Sequence, residues 1–136
     1  MLDSNDRTID YLRISLTERC NLRCRYCMPE EGIKNIGHDR ILTLEQVFRL
    51  VKIAAGVGFK KVRLTGGEPL VRKNIAKLIA DIASLPEIED ISMTTNGLLY
   101  ADMAEELRDA GLKRINISLD TMHPEKYRYI TRGGEY

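Results

Sequence analysis

The feature that most narrows what this chain can fold into is a repeated change of period. Residues 11–17 alternate strictly, with Leu12, Ile14 and Leu16 on one face and Arg13, Ser15 and Thr17 on the other, the period-two signature of a strand. Lys61–Thr65, Ile91–Thr94 and Ile115–Leu119 read the same way. Between these stretches the period becomes helical. Leu44, Val47, Phe48 and Val51 fall at i, i+3, i+4 and i+7 behind a Thr43/Gln46 capping box, with a stop near Gly56 or Gly58. Ile75, Leu78, Ile79 and Ile82 make a second stripe, with Asn74 as the expected N-cap and Pro86 as the breaker. Leu99, Met103, Leu107 and Ala110 make a third that runs to Gly111, and Pro124 opens a further turn or two through Tyr129. Residues 58–65 recur in type at 111–118, except at Arg63/Asn116, so helix stop, turn and strand repeat as one unit. Such alternation builds a parallel sheet with right-handed crossovers.

The strands carry a second constraint. Parallel strands covered on both faces read as continuous apolar runs, and these do not. Arg13, Ser15, Thr17, Arg63, Thr65, Ser92, Thr94, Asn116, Ser118 and Asp120 share the polar phase. Leu12, Ile14, Val62, Leu64, Ile91, Met93, Ile115 and Ile117 share the apolar one. A sheet that is apolar under its helices and polar on its concave side is an open barrel wall facing a ligand cavity; an antiparallel sheet with one wet face is the alternative. The expected fold is therefore α/β: a partial (β/α) barrel of about four parallel strands with helices on the outer face, half of an eight-stranded barrel. Its edge strands and polar lumen call for completion by further chain or by a second copy in a homodimer. At 136 residues the whole of 1–136 is one portion of a domain. A net charge of +1 argues against a nucleic-acid surface, and no apolar run reaches the length of a membrane span. Three clustered cysteines are a poor disulfide framework and point to a reducing, cytoplasmic setting.

In parallel α/β folds the chemistry gathers at the C-terminal ends of the strands. Four special segments fall there: Cys20-x3-Cys24-x2-Cys27 after the first strand, Gly66-Gly67-Glu68-Pro69 after the second, Thr94-Thr95-Asn96-Gly97 after the third, and Asp120-Thr121 after the fourth. Three thiolates leave one iron of a four-iron cubane without a protein ligand. They could equally hold zinc, with His38 as fourth ligand. Paired glycines at 66 and 67 allow backbone to approach a ligand, and Glu68 could accept from a cationic amine.

The cysteine spacing with Tyr26 before its last cysteine, followed one βα unit later by Gly66-Gly67-Glu68-Pro69, resembles the radical S-adenosylmethionine superfamily. Leu12–Thr17, Cys20–Pro29, Arg63–Leu70, Thr94–Gly97 and Ile115–Asp120 extend the likeness to its GTP 3′,8-cyclases of molybdenum cofactor biosynthesis. The resemblance implies that Cys20, Cys24 and Cys27 bind a [4Fe-4S] cluster. Its open iron would be chelated by S-adenosylmethionine, which an electron from a separate donor cleaves to methionine and a 5′-deoxyadenosyl radical. It further implies S-adenosylmethionine contacts from Tyr26, Gly66, Gly67, Glu68 and Ser118, and GTP contacts from Arg13, Arg63 and Thr94. The pattern also departs from the family. There is no fourth cysteine for its second cluster, and Asn5-Asp6 stand where Phe-Gly is expected. A truncated module that binds cluster and S-adenosylmethionine without turnover, and a radical enzyme with another substrate, are the alternatives.

Overall fold

The computed structural model describes residues 2, 4–33 and 40–135. Its elements follow the expected alternation: β1 (Tyr11–Ser15), α1 (Leu44–Gly56), β2 (Lys61–Thr65), α2 (Ile75–Ala83), β3 (Asp90–Thr95), α3 (Tyr100–Asp109), β4 (Arg114–Ile117) and α4 (Pro124–Thr131). A short 3₁₀ turn, Pro69–Val71, for which the sequence reading had no counterpart, lies between β2 and α2. The four strands form one sheet in the order β1-β2-β3-β4, and every neighbouring pair is parallel. This partial α/β barrel replaces the antiparallel alternative.

Local chemistry explains the boundaries. At α1 the backbone N–H of Gln46 donates to Thr43 Oγ1 (3.2 Å), and the Thr43 N–H donates back to Gln46 Oε1 (2.8 Å), closing a full capping box. The repeat seen in the sequence is a repeat of helix ends. Gly58 (φ +103°) donates to the Ala55 carbonyl and Phe59 to the Ala54 carbonyl; Gly111 (φ +104°) donates to Arg108 and Leu112 to Leu107. Both glycines hold the left-handed conformation that ends a helix and turns the chain into the next strand. Asn74 departs from expectation. It stands at the N-cap of α2 but is itself left-handed (φ +61°) and makes no side-chain cap bond. Asparagine tolerates that conformation better than most residues, so its use here is to turn the backbone.

Val47, Val51 and Ala55 of α1, Leu78, Ile79 and Ile82 of α2, and Leu107 of α3 pack on Ile14, Val62, Leu64, Ile91 and Met93 of the sheet. Each fully buried aliphatic side chain contributes about 1.5–3 kcal/mol, so this layer holds the sheet while its other face stays available. Three apolar-phase positions depart from the pattern: Leu12 and Ile115 are half-buried and Ile117 is 53% exposed. The end of α4 bonds to the loop after β1 rather than covering this end of β4. Among the described residues no helix is long and apolar enough to cross a membrane.

Candidate functional site

The loop after β1 is held against the loop after β2 by a run of backbone bonds, and the Arg72 guanidinium donates to the Leu16 carbonyl as well. Leu16 N donates to Thr65 O (2.8 Å), Gly67 N to Thr17 O (2.6 Å) and Glu68 N to Arg19 O (2.7 Å). The two chains run so close that a Cβ on Gly66 would lie 2.6 Å from the Thr17 carbonyl oxygen. One on Gly67 would lie 2.6 Å from that of Glu18 and closer still to that of Arg19. The glycine pair is thus needed for the approach of two loops of this chain. Leu22 and Met28 are buried and anchor the turn that carries the cysteines, in which Cys27 N and Met28 N both donate to Cys24 O (2.9 Å each). Cys20 and Cys24 are half-buried, Cys27 is exposed, and all three thiols are free.

The far end of the described chain closes over this turn. Arg23 N donates to Thr131 O (3.2 Å) and Arg25 N to Ile130 O (2.9 Å). The Arg25 guanidinium donates to Tyr129 O (2.8 Å) and lies 4.0 Å over the Tyr129 ring, a cation–π contact. Arg132 Nη1 reaches the carbonyls of Arg23 (2.9 Å) and Met28 (2.8 Å).

Glu68 has no accessible surface. Oε1 accepts from Leu70 N (3.0 Å) and Thr95 Oγ1 (2.7 Å), and Oε2 accepts from Asn96 N (2.7 Å). A buried carboxylate needs such donors, and here they come from the loops after β2 and β3. Asn96 carries the chain of contacts onward: its Nδ2 donates to Asn21 Oδ1 (2.7 Å) and approaches Cys20 Sγ at 3.8 Å. Glu68 therefore bolts the glycine loop to the segment that touches the cysteines. Sequence reasoning singled out the Thr-Thr-Asn-Gly segment but not the roles of Thr95, Asn96 and Asn21. For Thr95 and Asn96 the mark was a pair of hydrogen-bonding side chains at a strand's C-terminal end.

Tyr26, 70% exposed, donates from its hydroxyl to both carboxylate oxygens of Asp120 (3.2 and 3.0 Å), joining the cysteine turn to the end of β4. Desolvation of the hydroxyl and the bond to Asp120 push the phenol pKa up. Desolvation also pushes the Cys24 thiol up, offset in part by a hydrogen bond with Tyr26 and reinforced by the charges of Asp120, Cys20 and Cys27 nearby. Among the described residues no three His, Cys, Asp or Glu side chains converge on the position of a single ion. His38, the fourth ligand of the zinc alternative, lies outside the described residues. Ser118 is exposed and pairs through its backbone N–H with Thr95 O (2.8 Å).

On the concave face Arg13, Arg63, Ser92 and Arg114 stand in register across the four strands, and Thr94 pairs with Asn116 nearer the strands' C-terminal ends. Arg114 is taken up by a two-pronged pair with Asp90, and Lys61 by Asp10 at 2.9 Å. Arg63 is oriented by Ser92 Oγ (3.3 Å) and by the Tyr11 ring (5.7 Å), and Arg13 is exposed beside it. Ser92 belongs to the polar phase yet is fully buried, because its hydroxyl also donates to Val62 O (3.3 Å).

The chain matches the family model described as the Radical SAM superfamily over residues 14–136. It is 62% identical over 135 residues to a GTP 3′,8-cyclase of Syntrophomonas wolfei subsp. wolfei, covering 99% of this chain and 41% of that protein. It is 55% identical over 134 residues to a GTP 3′,8-cyclase of Moorella thermoacetica, covering 98% and 42%. The chain thus spans about two-fifths of the length of these curated relatives. Among solved structures, Streptococcus suis SuiB bound to precursor peptide SuiA superposes with a TM-score of 0.68 at 22% identity, over 89% of this chain and 26% of that one. BtrN in complex with AdoMet and 2-DOIA does so with 0.67 at 18%, over 91% and 51%. At those identities the likeness is one of fold.

Proposed function

The chain belongs to the Radical SAM superfamily, and on that premise we propose that residues 1–136 are the N-terminal portion of a core domain that binds a [4Fe-4S] cluster and S-adenosylmethionine. In the whole protein this domain serves the cyclisation of GTP in molybdenum cofactor biosynthesis, in the cytoplasm and with a separate one-electron donor. Membership implies both cofactors. The observation that carries the reading is the seating of three free thiols, Cys20, Cys24 and Cys27, on one loop whose start, at Thr17 and Arg19, is held by backbone bonds against Gly67 and Glu68. The donor set fits: three soft thiolates for three irons, with one position left for a ligand that is not protein. When bound, the pair of cofactors supplies one-electron reductive cleavage of a sulfonium.

The chain's own residues would divide the remaining work. In this proposal Tyr26, Gly66, Gly67, Glu68 and Ser118 form the S-adenosylmethionine side of the site. Glu68 acts there through the loops it bolts, since its carboxylate already accepts three hydrogen bonds. Arg13 and Arg63, neighbours in register, present guanidinium groups suited to phosphate oxygens, and Thr94 offers a hydroxyl further along the same face. The two cyclase relatives named above support GTP as the substrate of the whole protein. The sheet backs the site with a dry layer, while β1 and β4 remain as edges for the rest of a barrel wall or a second copy.

Anaerobic reconstitution tests this. About one four-iron cluster per chain is expected, with release of 5′-deoxyadenosine on reduction in the presence of S-adenosylmethionine, and alanine at any of the three cysteines abolishes both. Arg63→Ala should weaken GTP binding by about 10- to 150-fold, the equivalent of a lost charge-assisted bond. Stoichiometric zinc retained in place of iron refutes the reading. The alternative outcome is a chain that binds both cofactors without consuming GTP. Cofactor cleavage with unchanged GTP would select it.

A further inference from the structure

Cys20 differs from its two partners in what surrounds its sulfur. Leu22 N donates to Cys20 Sγ (3.4 Å), and Asn96 Nδ2 approaches the same atom at 3.8 Å. The Asn96 amide has one consistent orientation. Its backbone N–H is held by Glu68 Oε2 (2.7 Å), its Oδ1 accepts from Leu98 N (3.1 Å), and its Nδ2 therefore faces Asn21 Oδ1 (2.7 Å) and the sulfur. Swapping oxygen and nitrogen would set Nδ2 against the fixed Leu98 N–H, donor against donor. Behind Asn96 stands a carboxylate with no accessible surface, so the donor is anchored in the core although it serves a loop.

We propose that Asn96 is a positioning residue for Cys20, and that its side-chain amide raises the reduction potential of a cluster ligated by that cysteine. The inference rests on the superfamily reading above and goes beyond it by giving a role to a residue outside the cysteine turn. A donor aimed at a ligating sulfur stabilises negative charge there. The reduced form of a cluster carries one more negative charge than the oxidised form, so the donor favours reduction. Asn21 serves as the second anchor, fixing the amide in the plane from which it reaches Cys20.

Two variants separate the donor from the turn. Asn96→Ser keeps an oxygen for the Leu98 N–H but cannot span to Asn21 or Cys20. Asn96→Asp keeps the shape and replaces the donating NH₂ by an acceptor. In the cofactor-free chain, hydrogen exchange over residues 17–24 should accelerate about fivefold in Asn96→Ser, with α1 unchanged as the internal control. In the reconstituted chain, both variants should hold iron as the parent does. Their one-electron reduction constant should fall three- to tenfold, tenfold being 59 mV, with Asn96→Asp the larger. Unchanged exchange over 17–24 overturns the positioning role. A reduction constant within twofold of the parent at equal iron content overturns the electronic one. A parent chain that takes up no cluster refutes the proposed function instead, and the exchange measurement then decides the inference by itself.

Discussion

Replacing Glu68 by glutamine removes one charge and changes one atom, which makes it a sharp probe of the bolt between the β2 and β3 loops. The best placement of the new amide puts its oxygen where Oε1 was, keeping Leu70 N and Thr95 Oγ1 as donors. Its NH₂ then faces the Asn96 N–H, which donates to Oε2 in the parent. Two donors meet in a site without solvent, and a buried unsatisfied donor costs about 1–3 kcal/mol; part is returned because an amide is less costly to bury than a carboxylate. A net loss of about 2 kcal/mol is expected, and Glu68→Ala, which strands all three donors, should lose about 3–5 kcal/mol. A chain of this size is suited to two-state analysis. With a urea m-value of about 2 kcal/mol/M, Glu68→Gln should move the midpoint by about 1 M at unchanged m, followed by far-ultraviolet circular dichroism. Thr95→Val, which deletes a donor to Glu68 and an acceptor for Gly97 N (3.1 Å), completes a double-mutant cycle whose coupling should exceed about 0.5 kcal/mol. Glu68→Gln within about 0.5 kcal/mol of the parent would refute the bolt.

Gly67→Ala should destabilise by more than about 2 kcal/mol and lower iron uptake, since its Cβ would press on the Glu18 and Arg19 carbonyls. Gly56→Ala, where a Cβ meets nothing within 4 Å, should be neutral or gain about 0.4–1 kcal/mol, and the same urea titrations compare the two. Thr43→Ala opens the capping box of α1 and should cost about 0.5–2 kcal/mol, read as a lower thermal midpoint. Lys61 holds the Asp10 carboxyl below its ordinary range, chiefly through their hydrogen bond. The stability this pair contributes is present above the unfolded carboxylate pKa and fades as pH falls through the depressed one. Asp10→Asn should flatten the acid limb of the stability curve, measured by urea titration across that range.

Most of the framework was legible because its signals are local. The Thr43/Gln46 box, the strand Lys61–Thr65 and the glycines at 58 and 111 act within a few residues of themselves, and side-chain period reports which face is covered. The positions of Arg13, Arg63 and Thr94 on one face followed from the same alternation. What was not legible depends on partners distant in the chain. Asn74 carried the right residue type for a cap, but the backbone geometry it adopts is set by the turn before α2. Ile117 belonged to the apolar phase, but whether a helix covers it depends on where α4 lands. The glycine pair was read for its freedom to admit a ligand, whereas its nearest neighbours are the carbonyls of residues 17–19. No periodicity encodes the reach of Asn96 to Asn21 or of Arg132 to Arg23.

The closure of the cysteine turn by the end of α4 has a consequence in time. Its bonds link residues separated by 104 to 109 positions along the chain, so the turn is completed by some of the most non-local contacts in the molecule and is among the last parts to order. A ribosome adding about 5–20 residues per second leaves several seconds between the emergence of Cys27 and that of Arg132. Throughout that interval the three thiols lie on an unfinished seat, open to delivery of iron and equally open to oxidation. The contacts that brace the turn arrive only afterwards, and loading before closure would spare the seat from having to reopen.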